Sequence, residues 1–173
     1  MKTLIAALGT VALVLTAPFA MAADKPTDPQ IAHIAYSAGV IDIEAAKLAL
    51  SKTENPEIKA FAESMQKDHE AVNEMAMALV KKLKVTPQDN AISQSLLKGE
   101  KETLAKLRKL SGAAFAKAYI DNEVAYHEAV IAAVKNILIP QAENEELKKT
   151  LISVLPLLEH HLEMARMEQA KIK

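Results

Sequence analysis

The stretch NPEIKAFAESMQKDHEAVNEMAMALVKKLK, residues 55–84, decides the fold. Asn55-Pro56 is a helix start. An asparagine carboxamide accepts from the first free N–H groups, and proline at the first helical position gives up only an N–H that has no helical partner. Ile58, Phe61, Ala62, Met65, His69, Val72, Ala76, Leu79 and Leu83 then recur mostly three or four residues apart, the spacing of one helix face. The spacing predicts a helix over 56–84 whose apolar stripe carries a histidine at its middle.

Upstream, Asp28-Pro29 repeats the cap-plus-proline device, and Ile31, Ile34, Ala38, Ile41, Ala45 and Leu48 predict a helix over 29–53. The link between these two helices is so short that they must pack antiparallel. Downstream, Thr86-Pro87 interrupts the chain, and Ile92, Leu96, Leu97, Leu104, Leu107 and Leu110 mark a polar third helix that Ser111-Gly112 breaks. Phe115, Tyr119, Val124, His127, Val130, Val134 and Ile137 predict a helix over 113–138, stopped at Ile139-Pro140 because the residue before a proline resists helical geometry. Leu147, Leu151, Val154, Leu158, His161 and Ala165 predict a last helix over 143–171, kinked at Pro156. The fold class is therefore all-α. The four long helices form a bundle, and residues 85–112 are long enough to cross along it. One long crossover between two antiparallel pairs is the ferritin-like arrangement, with simple up-and-down packing of five helices as the alternative.

Composition agrees with one helical domain over 23–173. Of the 173 residues, 50% are hydrophobic and 25% charged, glycines number 4, and aromatics are 3%. Ala, Leu, Lys and Glu, which lose little freedom in a helix, dominate. Lys2, the apolar run Leu4 to Leu15 and Ala20-Met21-Ala22 read as a cleavable signal peptide over 1–22, with the mature chain starting near Ala23 in the periplasm or otherwise exported. No later segment is apolar enough to span a membrane. Net charge is −1, and loss of Lys2, the one charge in the leader, makes it −2. Without a basic surface, nucleic acid is not an expected partner. With no cysteine, disulfides, thiolate metal sites and a cysteine nucleophile are excluded. A homo-oligomer is left open.

Chemistry points to the histidines. His69, His127 and His161 each fall on the apolar stripe of a different helix, near its middle, so that three rings are expected to meet in one central layer. Asp42, centred in the small-residue strip Ala35, Ala38, Ala45 and Ala49, supplies an acid at that level. Glu44 is the second candidate on the same helix. Asp68 precedes His69, and Glu123 lies one turn before His127. Buried polar groups must be paired, and two pairings compete. One is a single transition-metal ion (zinc, copper or iron) held by the three imidazoles and a carboxylate. The other is a closed hydrogen-bond network with Tyr119. Met65, Met75, Met77, Met164 and Met167 suggest copper(I) only if they converge; otherwise they are core filler. His160 points about 100° away from His161, and His33 is expected at the surface.

These residues resemble the exported bacterial family called domain of unknown function 4142, a ferritin-like group often labelled as outer-membrane or secreted proteins. The resemblance runs from Ile31 to Ala165. It rests on Asp42-Ile43-Glu44 with Lys47-Leu48-Ala49, Lys59-Ala60-Phe61-Ala62 with Met65, Asp68-His69, Ser111 to Phe115 with Tyr119-Ile120, His127, and Leu155-Pro156 leading to His161-Leu162. Ala46 departs from a common Gly and Ala116 from a common Asp. The resemblance implies a four-helix ferritin-like core and adds weight to Asp42, His69, His127 and His161. A standard di-iron site is not expected: its Glu-x-x-His pairs would need Glu three residues before the histidines, where Gln66, Val124 and Leu158 stand.

The sequence thus points to an exported metal-binding protein acting in metal handling or envelope stress. A metal-dependent redox enzyme and a non-catalytic interaction module with a hydrogen-bonded polar core are the alternatives.

Overall fold

A computed structural model describes residues 25–172. The proposed leader, 1–22, and the mature start at Ala23 lie outside the described residues. Six α-helices follow in order: α1 Asp28–Lys52, α2 Pro56–Leu83, α3 Ala91–Leu107, α4 Gly112–Ala133, α5 Ile139–Gln141 and α6 Glu145–Lys171. A π-helical turn, Val134–Leu138, joins α4 to α5. The all-α bundle read from the sequence is what the chain forms, and the described residues contain no strand.

α1 packs most extensively on α2, and α4 on α6, giving two helix pairs. α3 lies along α1 and carries the chain back from the end of α2 to the start of α4. The linker leading into it is fastened where α1 begins, by Gln88 N–H donating to the Pro29 carbonyl. Its far end is fastened where α1 finishes: Lys52 Nζ donates to the Arg108 carbonyl at 2.7 Å. The crossover therefore spans the bundle, and α2 and α4 run in the same direction.

Two apolar clusters fill the interior. One gathers Ala49, Phe61, Met65, Leu107, Phe115 and Ile120. The other gathers Ile31, Ile34, Leu138, Leu147, Leu151 and Leu158. Each fully buried Leu, Ile, Phe or Met side chain contributes about 1.5–3 kcal/mol. Each long helix of the two pairs carries a buried ionisable residue near the junction of the two clusters: Asp42 on α1, His69 on α2, Glu123 and His127 on α4, His161 on α6.

Two local expectations need correction. Asp28 is not the cap of α1. Thr27 holds that position, with the Gln30 side chain accepting from its N–H. The Asp28 carboxylate instead accepts from Glu143 and Asn144 N–H at 2.9 Å each, tying α1 to the entrance of α6. Pro140 does not stop the fourth helix. The backbone widens into the π turn, with Ile139 N–H reaching back to the Val134 carbonyl, and continues helically to Gln141. A widened turn accommodates a proline whose ring would otherwise crowd the carbonyl four residues earlier. α6 runs through Pro156 as one helix, as expected, with the proline on its exposed face.

Asn55 caps α2 as expected, its side chain accepting from Glu57 N–H at 2.9 Å and Ile58 N–H at 3.3 Å. Asn55→Ala should cost about 1 kcal/mol. For a domain of this size that is a fall of roughly 2–4 °C in melting temperature by calorimetry.

Candidate metal centre

His69, His127 and His161 come from α2, α4 and α6 and are all buried, none more than 3% exposed. Their ring centroids are 5.0 Å apart for His69 and His161, 5.5 Å for His127 and His161, and 5.7 Å for His69 and His127. One ring nitrogen of each lies within 4.8 Å of the other two.

Two rings are oriented from outside the cluster. His127 Nδ1 is 3.0 Å from the Glu123 carbonyl oxygen, which can only accept, so Nδ1 carries the hydrogen. Its Nε2 is left with a lone pair and has no partner. His161 Nε2 donates to Asp68 Oδ2 at 3.1 Å, leaving Nδ1 buried and without a partner. His69 Nε2 is also without a hydrogen-bond partner; it lies 3.4 Å from Asp42 Oδ2. A neutral imidazole with one nitrogen anchored by a carbonyl or carboxylate and the other free is the arrangement that metal-ligating histidines adopt.

The rings are neutral at pH 7. Burial, reinforced by the charges of the other two histidines, pushes His69 down to about 3. Burial and then His161 push His127 down to about 4. Burial lowers His161 as well, against the opposing pull of Asp68.

Carboxyl groups flank the rings. Asp42, Glu123 and His127 form a second buried triad whose ligand atoms lie within 4.8 Å of one another. Burial holds Asp42 well above the usual carboxyl range, with the charges of Glu123 and Glu100 adding to it. Burial, then the Glu100 charge, pushes Glu123 up to about 8. Burial disfavours the charged forms of both Asp42 and His69, which works against an ion pair between them.

Of the residues singled out from the sequence, His69, His127, His161, Asp42 and Glu123 come together. Asp68 touches the cluster through His161 from a position 35% exposed, as an orienting group. Glu44 is a correction: it lies on the outer side of α1, half exposed, paired with Lys47 at 3.2 Å. Two positions along a helix turn a side chain about 200°, so Asp42 and Glu44 cannot share a face. Tyr119 is buried among apolar residues, and its hydroxyl finds no partner. His160 is exposed, and His33 is partly exposed, with Nδ1 3.8 Å from Asp89 Oδ1. The methionines do not converge: Met65 is core, while Met75, Met77 and Met167 are exposed.

Sequence reading missed three groups. Glu100 on α3 is mostly buried, and burial followed by the Glu44 charge pushes it up to about 7. Its position midway between Leu96 and Leu104 was the available signal. Asn73 sits one turn after His69 on the inner face. Tyr126, whose hydroxyl donates to the Ala38 carbonyl at 3.0 Å, carried no signal.

Residues 15–167 match the domain of unknown function family DUF4142. The chain belongs to that family. The matched span contains every member of the DUF4142 chain's central cluster, from Asp42 to His161. No curated protein and no solved structure gives a significant match.

Stability of the metal-free DUF4142 domain should peak between about pH 4.5 and 6.5. The lowered histidines make the native state bind fewer protons than the unfolded chain between about pH 3 and 6.5, so stability is lost on acidification. The raised carboxyls make it bind more between about pH 4.5 and 8, so stability is lost as pH rises. Urea unfolding across pH with a chelator present checks this, and Glu123→Gln should flatten the alkaline limb.

Proposed function

We propose that this protein is an exported metal-binding helical bundle whose central histidine layer holds one transition-metal ion, serving metal handling or envelope stress. One observation carries the reading. His69 Nε2, His127 Nε2 and His161 Nδ1 are buried close together with no hydrogen-bond partner. Each unpaired buried nitrogen is expensive, and a shared cation compensates all three at once. Tetrahedral coordination by imidazoles requires nitrogens ~3.3 Å apart, which small side-chain rotations from the present separations achieve. Neutral imidazoles suit zinc, copper or iron. Asp42 and Glu123 are the carboxyl groups placed to complete the set, losing a proton when the cation binds.

A hydrogen-bonded polar core is less well supported, because the rings do not close a network among themselves. The path of α3 between two antiparallel helix pairs supports a ferritin-like relationship. Export rests on Lys2, the apolar Leu4 to Leu15 and Ala20-Met21-Ala22.

Elemental analysis of untagged mature protein tests the reading. About one equivalent of metal is expected in the wild type, and none in a His69→Ala, His127→Ala double variant. At metal concentrations a hundredfold above Kd, binding should add about 2.7 kcal/mol of stability, removed by chelation. Wild-type protein that neither carries nor takes up metal, with a melting temperature indifferent to chelator, would refute it. Asp68→Ala should fold normally and weaken metal binding about 10–100-fold, through loss of the contact that orients His161.

A further inference from the structure

The half of the bundle built around Ile34, Leu138 and Leu151 encloses a cavity of about 90 Å³. Its lining runs from Ala32 to Asp42 on α1, from His69 to Val80 on α2 and from Leu147 to Leu158 on α6. One end of the cavity therefore abuts the histidine layer, through Asp42 and His69. Two polar contacts bridge α2 and α6 on either side of it. His161 Nε2 donates to Asp68 Oδ2 at 3.1 Å, and Lys82 Nζ donates to Glu146 Oε2 at 2.6 Å. Between these bridges the lining residues Val72, Ala76, Leu79, Thr150 and Val154 are only partly buried, so the α2–α6 seam is the thin side of the wall.

Small residues keep the space open. Ala32, Ala35 and Ala38 on α1, Ala76 on α2 and Ala133 on α4 all line it. Protein interiors leave few voids larger than a water molecule, and an unfilled void destabilises in proportion to its volume. Atoms lining a void lack dispersion partners on one side. A guest that fills the space restores those contacts.

The wall selects the chemistry of that guest. Beyond the layer its polar side chains are Asn73 and Thr150, and neither is offered to the cavity. Asn73 Oδ1 is enclosed and packed against Gly39, and Thr150 Oγ1 donates to the Glu146 carbonyl at 2.9 Å. The remaining lining there is Ala, Val, Ile, Leu and Gly. A buried water needs about two to four polar partners. A strongly hydrated guest would give up hydrogen bonds that this wall does not replace. An aliphatic cavity of about 150 Å³ stays dry and takes up benzene or xenon. In proportion, this one accommodates about three or four carbon atoms.

We propose that this cavity binds one small neutral apolar molecule of up to about four non-hydrogen atoms, held by dispersion against the aliphatic wall with its inner end beside His69. The site does not rest on the metal reading, so it is tested on the mature protein with chelator present.

The probes are xenon, cyclopropane and acetamide, the last of similar size but strongly hydrated. Binding is followed by the methyl resonances of Leu151, Val154 and Leu158 and by the ring resonances of His69. Saturable shifts with xenon and cyclopropane are expected. The methyls of Leu107 and Ile120, in the other apolar cluster, should not move. Acetamide should bind at least about tenfold more weakly than cyclopropane. Ala133→Leu, whose longer side chain fills the space, should abolish binding; Ala35→Leu does the same from α1 should the first variant fail to fold. Absent or non-saturable shifts in the wild type, equal shifts in both clusters, acetamide binding as tight as that of cyclopropane, or undiminished binding in a folded wall-filled variant would overturn the proposal.

Discussion

Everything in this bundle is arranged around the burial of three imidazoles and two carboxyl groups at one level of an apolar interior. Such groups leave water at a price that only pairing or neutralisation offsets. Neutralisation is visible throughout: burial lowers the histidines and raises Asp42 and Glu123. Pairing is incomplete. The outer nitrogens of His127 and His161 are hydrogen-bonded, while the inner ones are not. The apolar residues divide accordingly into a cluster on either side of the polar layer, which supply the packing energy that the layer itself does not.

The path of α3 makes the layer possible. By returning the chain along the bundle before α4 begins, it lets α2 and α4 run parallel while each remains antiparallel to its own partner. Residues near the middle of four helices then share one height. The same path brings Glu100 beside the layer, and the charge of Glu100 bears on both Asp42 and Glu123. A third helix that looks like a connector in sequence thus takes part in the electrostatics of the centre. Gly39 and Asn73 meet between α1 and α2, where the polar layer gives way to a cavity walled mostly by aliphatic side chains.

Much of this was legible in the sequence because it depends on local rules. Helical periodicity and the cap at Asn55 are properties of a few neighbouring residues, and they locate α2 closely. A histidine on an apolar stripe must face the interior whatever the partner helix is, which is why His69, His127 and His161 could be singled out. Glu44 was misplaced because the width of the buried face depends on how many neighbours a helix has. Asp28 was assigned to its own helix because its true partners, Glu143 and Asn144, are over a hundred positions away.

The sequence by itself determined the helical class, the number of long helices and the inward direction of the three imidazoles, since each follows from spacing along one segment. Only the tertiary structure decided which nitrogens are free, which carboxyls join them, that Pro140 is absorbed by a π turn, and that a chamber lies beside the layer. Those features arise from distances between helices, and the order of residues along a chain does not encode such distances in any local pattern.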